Sequence, residues 1–293
     1  MYNYQCTLSS QVSCFGVGLH TGLTISMTLY PAEVDSGISF RRKDIAGKPL
    51  IKADYRYVSN TLLGTTVSNK EGVKVGTIEH LMAALWGCNI DNVIIELDGP
   101  EVPIMDGSSE PFVFLIECAG IAVQHKTRKI IEVLKKVDIS EGDAYASIDT
   151  ADGFSVSLEI NFDDEVISKQ SCRFDSRDLS FKTDLCRART FGFAHEIDKL
   201  RSLGLGRGGS LDNAIIVSGN TILNEGGLRY SDEFVRHKVL DCIGDFYLAG
   251  AHVKGHFHGV RSGHAINNRL LRKFFADKDA WQITQPTEMR IAV

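Results

Sequence analysis

Apolar residues recur in this chain at two periods, and the two alternate from end to end. In residues 23–30, Ile25, Met27 and Leu29 share one face of a period-two pattern, as in a half-buried strand. Phe154, Val156, Leu158, Ile160 and Phe162 repeat that pattern later. Strands are also expected at 37–40, after a turn over 31–36, and at 93–97, 130–139, 214–217 and 252–260. Helices are expected at 77–86, stopped by Gly87, at 110–119, ended by Gly120, and at 194–203, 232–248 and 262–275. Strands precede helices in each half, and hairpins outnumber strand–helix–strand units. That order predicts an α+β class: two similar domains, each a sheet with helices packed on one face. The polar, basic segment 124–129 reads as the boundary, giving domains at 1–125 and 126–293. Glu79-His80-Leu81-Met82 against Arg236-His237-Lys238-Val239 is a weak echo between the halves.

Composition narrows the function classes. Apolar residues make up 43% of 293, enough for sizeable cores, and a formal charge of −5 argues against a surface devoted to nucleic acid. No apolar run approaches the roughly 20 residues of a membrane span, and the first residues lack the pattern of a signal peptide. Seven cysteines, an odd count without a C-x-x-C pair, read as reduced thiols of a cytosolic protein. With only six prolines there are few stiff linkers, so the halves are expected to pack together with a site between them.

Three segments carry candidate chemistry. His237, Asp241 and Asp245 stand at i, i+4 and i+8 of an expected helix and so lie near one face. A His and an Asp one turn apart can grip a cation; the same spacing also fits a solvated polar face. Val239, Leu240, Ile243 and Leu248 put packing beside that stripe and favour a cleft. Glu79-His80 opens another helix, where the His can serve as a third ligand and the Glu as a base. The alternative is a first-turn Glu favoured by the helix dipole beside a packed His. His264 begins a third helix, a position for a general acid provided a carboxylate keeps the imidazole charged.

Two other segments resemble sites less well. The glycines of Gly204-Leu205-Gly206-Arg207-Gly208-Gly209 follow a helix and precede a strand, the reverse of a dinucleotide fingerprint, so they read as a loop that touches substrate at most. His256 and His258 share a strand face, but Lys254 shares it too and repels a cation.

Taken together, the chain resembles the UDP-3-O-acyl-N-acetylglucosamine deacetylase family, the zinc amidases of lipid A synthesis. Six stretches carry the resemblance in order: Gly16-Val17-Gly18-Leu19-His20-Thr21-Gly22, Thr77 to Leu85, Val102 to Ser108, Arg187 to Phe193, Arg236 to Asp245 and Ser262 to Asn268. It implies two α+β domains in a sandwich around the active site. It implies Zn²⁺, with Fe²⁺ as a cellular alternative, held by His80, His237 and Asp241. Glu79 would be the general base, His264 the general acid held charged by Asp245, and Thr190 a donor to the oxyanion. Lys238 would add positive charge near the substrate, Phe191 would line an acyl passage with Phe193, Ile197, Leu200 and Leu211, Phe162 would stack on uracil, and His20 would sit near the hexosamine. The implied protein is a cytoplasmic monomer acting on UDP-3-O-acyl-N-acetylglucosamine. One position departs from the pattern: Ala144 follows Gly142-Asp143 where the family often has a basic residue.

Overall fold

The computed structural model describes residues 3–162 and 166–286. The fold is α+β, with two large sheets that share no strand. The first has the order Val12–Val17, Thr24–Pro31, Val93–Leu97, Ile38–Arg42, Leu50–Lys52. Its neighbours are antiparallel except Val93–Leu97 beside Ile38–Arg42. Ile25, Met27 and Leu29 are all fully buried, as their period of two requires. Helices α1 (Glu79–Gly87) and α2 (Glu110–Ala119) add Leu81, Met82, Leu85, Phe112 and Ile116 to the same core. α1 is apolar on nearly every side after its first turn and is buried throughout, apart from Gly87.

His252–Val260 is the central strand of the second sheet. It runs parallel to Ile130–Val133 and Phe154–Asn161 and antiparallel to Ala144–Asp149. After the short α3 (Ile197–Ser202) come α4 (Glu233–Tyr247) and α5 (His264–Ala276), which pack on this sheet. α5 buries Ile266, Leu270, Leu271, Phe274 and Phe275, a one-sided stripe that leaves its arginines outside. No helix among the described residues is long and apolar enough to cross a membrane.

Three sequence expectations need correction. The basic segment 124–129, expected as the boundary between the halves, is not a break between elements: Ile121–Thr127 is a strand antiparallel to Tyr4–Leu8, and Arg128 is fully buried, bonded to Asp91 and Asn89. Its charges have partners, which a polarity count cannot see. The expected helix at 194–203 is a 3₁₀ turn, Ala194–Glu196, leading into the six residues of α3. The expected strand at 130–139 is interrupted between Ile130–Val133 and Val137–Glu141, where the chain passes from one neighbour strand to another.

The two halves meet where α1 crosses α4. At the crossing, a Cβ on Gly244 would stand 2.1 Å from the backbone oxygen of Glu79, so only glycine allows this approach. Nearby, His252 is buried with both ring nitrogens unpartnered, beside Trp86 and Tyr247. Burial, with Arg128 adding to it, holds its pKa well below the usual value of 6.5. The folded protein therefore keeps His252 neutral while the unfolded chain protonates it, so stability drops as pH falls below about 6.5. His252→Leu should flatten the fall in unfolding free energy between pH 7 and 5, by up to about 1.4 kcal/mol per pH unit. Urea titrations of both proteins at the two pH values check this; parallel curves would contradict it.

Candidate functional site

α1 begins without a side-chain cap, after Thr77 in the left-handed region at φ 53°. That turn aims Glu79 and His80, both buried, toward α4. α4 presents His237, Asp241 and Asp245 along one buried face, as the i, i+4, i+8 spacing anticipates. His80, His237 and Asp241 converge: Asp241 Oδ1 lies 3.5 Å from His80 Nε2 and 3.4 Å from His237 Nε2.

These residues fit a divalent metal ion. A tetrahedral ion with bonds of roughly 2.0–2.1 Å brings its donors to about 3.3–3.4 Å from each other. Asp241 Oδ1 is buried and has no hydrogen-bond partner, an orphaned acceptor aimed at two imidazoles. His237 Nδ1 donates to Ala188 O at 3.0 Å, which leaves Nε2 as the lone-pair nitrogen. Burial pushes the His237 pKa down to about 4, against the pull of Asp241, so the ring is neutral as a ligand must be. Lys238 Nζ donates to the other Asp241 oxygen at 2.7 Å, and despite burial Asp241 is held well below the usual carboxylate range by His237 and Lys238. Among the described residues no other His, Cys, Asp or Glu trio is so placed. The His256 and His258 pair does not join one: His256 Nδ1 is bonded to Ser155 Oγ, and Lys254 is paired with Glu132.

The acid–base candidates flank this trio. Glu79 Oε1 and His264 Nε2 face each other at 4.0 Å. Asp245 Oδ2 accepts from His264 Nδ1 at 2.9 Å and from Asn267 Nδ2 at 2.9 Å. Burial opposes the charged imidazole, but Asp245, helped by Glu79, raises the His264 pKa to about 9. Burial pushes Glu79 up, opposed by His264 and His80.

Sequence reading missed Thr65. Its N–H donates to Glu79 Oε2 at 2.9 Å while its hydroxyl donates to Asp245 Oδ1 at 2.6 Å. One buried residue thus ties Glu79 to the carboxylate that holds His264. No local motif marks it, because both partners are far away in sequence.

Glu79, His80, His237, Asp241 and His264 line a cavity of about 790 Å³ between the halves. Thr190, Lys238 and His20 line it, as do Phe162 and Phe191, whose rings meet edge-on at 5.7 Å. Phe193, Ile197, Leu200, Leu211, Ile216 and Leu223 add apolar lining. Phe191 and Phe193 come from a small sheet with Ile215–Ser218, and Ile197 and Leu200 of α3 face the cavity. Ala144 and Arg261 also line the cavity, Arg261 bonded to Asp143 at 3.1 Å.

The model of the UDP-3-O-acyl N-acetylglycosamine deacetylase family matches residues 5–276. The chain belongs to this family. It is 48% identical over 288 residues to the UDP-3-O-acyl-N-acetylglucosamine deacetylase of Acidithiobacillus ferrooxidans, covering 98% of this chain and 94% of the relative. It is 49% identical over 281 residues to that of Marinobacter nauticus, covering 95% and 92%. The relative from Neisseria meningitidis serogroup C is 47% identical, covering 94% of this chain and 92% of its own. The six sequence stretches that suggested this family all lie within the matched span.

The ligand geometry gives a direct test. Asp241→Ala should weaken divalent-ion binding by more than roughly 100-fold, beyond what losing an outer partner costs. His264→Ala should keep the ion, since His264 lies outside the trio. Metal analysis after dialysis reads both; an Asp241→Ala protein that still holds one equivalent would rule out this ligand set.

Proposed function

We propose that this chain hydrolyses the N-acetyl group of UDP-3-O-acyl-N-acetylglucosamine, releasing acetate and UDP-3-O-acyl-glucosamine, an early step of lipid A biosynthesis. One observation carries the reading: a His₂Asp trio, flanked by Glu79 and His264, opens onto a cavity that Phe193, Ile197, Leu200, Leu211, Ile216 and Leu223 also line. The names of the relatives support the substrate. We propose Zn²⁺ as the ion, with Fe²⁺ as a cellular alternative, because two imidazoles and a carboxylate with donors at 3.4–3.5 Å suit a tetrahedral ion with one position open. When bound, such an ion supplies a Lewis acid that polarises the amide carbonyl and lowers the pKa of water.

The chain's own residues supply the rest. Glu79 takes a proton from the attacking water at Oε1, since Oε2 is engaged by the Thr65 N–H. Thr190 donates to the oxyanion that develops on the carbonyl. His264 gives the proton on Nε2 to the leaving nitrogen, while Asp245 holds the ring through Nδ1. Lys238 sets positive charge beside Asp241. The apolar lining takes the acyl chain, whose burial contributes about 0.8 kcal/mol per CH₂. Phe162 offers a face to uracil and His20 stands by the hexosamine. Arg261, which also lines the cavity, is bonded to Asp143 beside Ala144 and offers a phosphate the cation that the alanine lacks.

The same reading covers the assembly and location. Residues 1–125 and 126–293 act as two units, since the sheets of residues 12–97 and 130–284 share no strand, although the cut falls within the strand Ile121–Thr127. The protein works as a monomer in the cytoplasm; all seven cysteines are free, as a reducing compartment favours.

The deciding experiment is acetate release from the UDP substrate by metal-stripped protein before and after adding zinc. Activity should vanish with the ion and return with about one equivalent. No activity from a zinc-loaded, folded protein would remove the substrate assignment. His264→Ala should lower kcat by roughly 10²–10⁴-fold. Because Asp245 and Glu79 hold the proton on His264 against burial and Lys238, kcat should fall on the alkaline side as His264 loses it. Asp245→Asn should move that limb to lower pH; an unmoved limb would assign the proton to another group.

A further inference from the structure

The glycine-rich segment 204–209 is left without a role by the chemistry above. It is docked on the turn that carries His20. Gly208 N–H donates to Leu19 O at 3.0 Å, Arg207 N–H to His20 O at 3.3 Å, and Gly206 N–H to His20 Nδ1 at 3.4 Å. A Cβ on Gly208 would stand 2.3 Å from the backbone oxygen of Gly18, so the contact is backbone against backbone. Leu19, His20, Gly206 and Gly209 all line the cavity. One wall of the substrate site is therefore two loops, one from each half, bonded to each other; Asn213 Nδ2 also donates to Gly208 O at 2.9 Å, and His20 Nε2 stands 3.2 Å from Leu63 O.

The anchor of the His20 turn is Glu101. It is buried, with 2% of its surface exposed. Oε1 accepts from His20 N–H at 2.9 Å and from the Thr77 hydroxyl at 2.8 Å. Oε2 accepts from Thr21 N–H at 3.0 Å and from the Thr21 hydroxyl at 2.9 Å. Four neutral donors converge on one buried carboxylate. Such an acceptor fixes the geometry of whatever donates to it.

We infer that Glu101 is a positioning residue for substrate binding: it sets the His20 turn, and the turn seats the 204–209 loop that completes the wall. The carboxylate cannot be replaced by its own amide. Each oxygen accepts from one backbone N–H, and a backbone N–H cannot reverse its role. A glutamine NH₂ would face a donor in either orientation, whereas the threonine hydroxyls could turn to accommodate it.

The test is Glu101→Gln, read by hydrogen exchange and by kinetics. Exchange of the 204–209 amides should quicken by about tenfold or more, while α4 amides keep their protection. KM for the UDP substrate should rise by about tenfold with a smaller change in kcat. The kinetic part rests on the function proposed above; the exchange part needs no substrate. Loop exchange that quickens in a protein without deacetylase activity would thus sink the function and leave the anchor standing. Gly208→Ala attacks the same contact from the other side and serves if Glu101→Gln fails to fold. It should raise KM and quicken exchange likewise, and the double variant should be no worse than the worse single, since both break one unit. Multiplying KM effects, unchanged loop exchange in either variant, or a fall in kcat at constant KM would each overturn the inference.

Discussion

Everything in the site depends on how closely α1 can approach α4. Gly244 lies against the backbone oxygen of Glu79, and any side chain there would drive the helices apart by more than the site can absorb. The carbonyl it touches belongs to the residue just before His80. The same contact therefore sets the distance from His80 to the His237–Asp241 turn, and donors 3.4–3.5 Å apart tolerate little drift. The helix crossing joins the halves and also fixes the spacing of the donors.

Burial at this crossing gives the charges their strength. Glu79, Asp241 and Asp245 are three buried carboxyl groups close together, faced by Lys238 and His264. Asp241 Oδ1 is buried among them with no hydrogen-bond partner. An acceptor left so is costly to bury, and a cation is its natural complement. The same enclosure separates the roles of the carboxylates. Asp245 has three donors, which commit it to orienting His264. Glu79 has one oxygen bonded and one turned toward His264, which leaves it able to accept a proton.

How much of this could be read in the sequence follows from the range of each interaction. The approach of His237 and Asp241 on one face of α4 was legible because an i, i+4 pair is a local fact. Strands such as Thr24–Pro31 and His252–Val260 were legible because alternation is local too. His80 joined the ligand set only through the family pattern, since no spacing rule links it to a helix more than 150 residues away. Thr65 and Glu101 left no trace: each acts by hydrogen bonds to residues that only the fold brings near. The basic segment at 124–129 misled for the same reason. Arg128 pairs with Asp91 and Lys126 with Asp35, so what read as a boundary is largely a strand with its charges matched through space.

The cavity joins two kinds of physics that a single substrate must satisfy together. Its charged residues stand where an amide would break, and its apolar lining can hold a long hydrocarbon. Binding the chain does not touch the reacting bond. It can still contribute to rate, because energy gained away from that bond on a rigid wall fixes the position of the amide. Rigidity is then a property that every wall needs. Part of the lining, at His20 and Gly206, is loop rather than helix, and loops hold position only where their backbone groups are bonded. The His20 turn is bonded to Glu101 on one side and to the glycine segment on the other, which holds that loop wall in place.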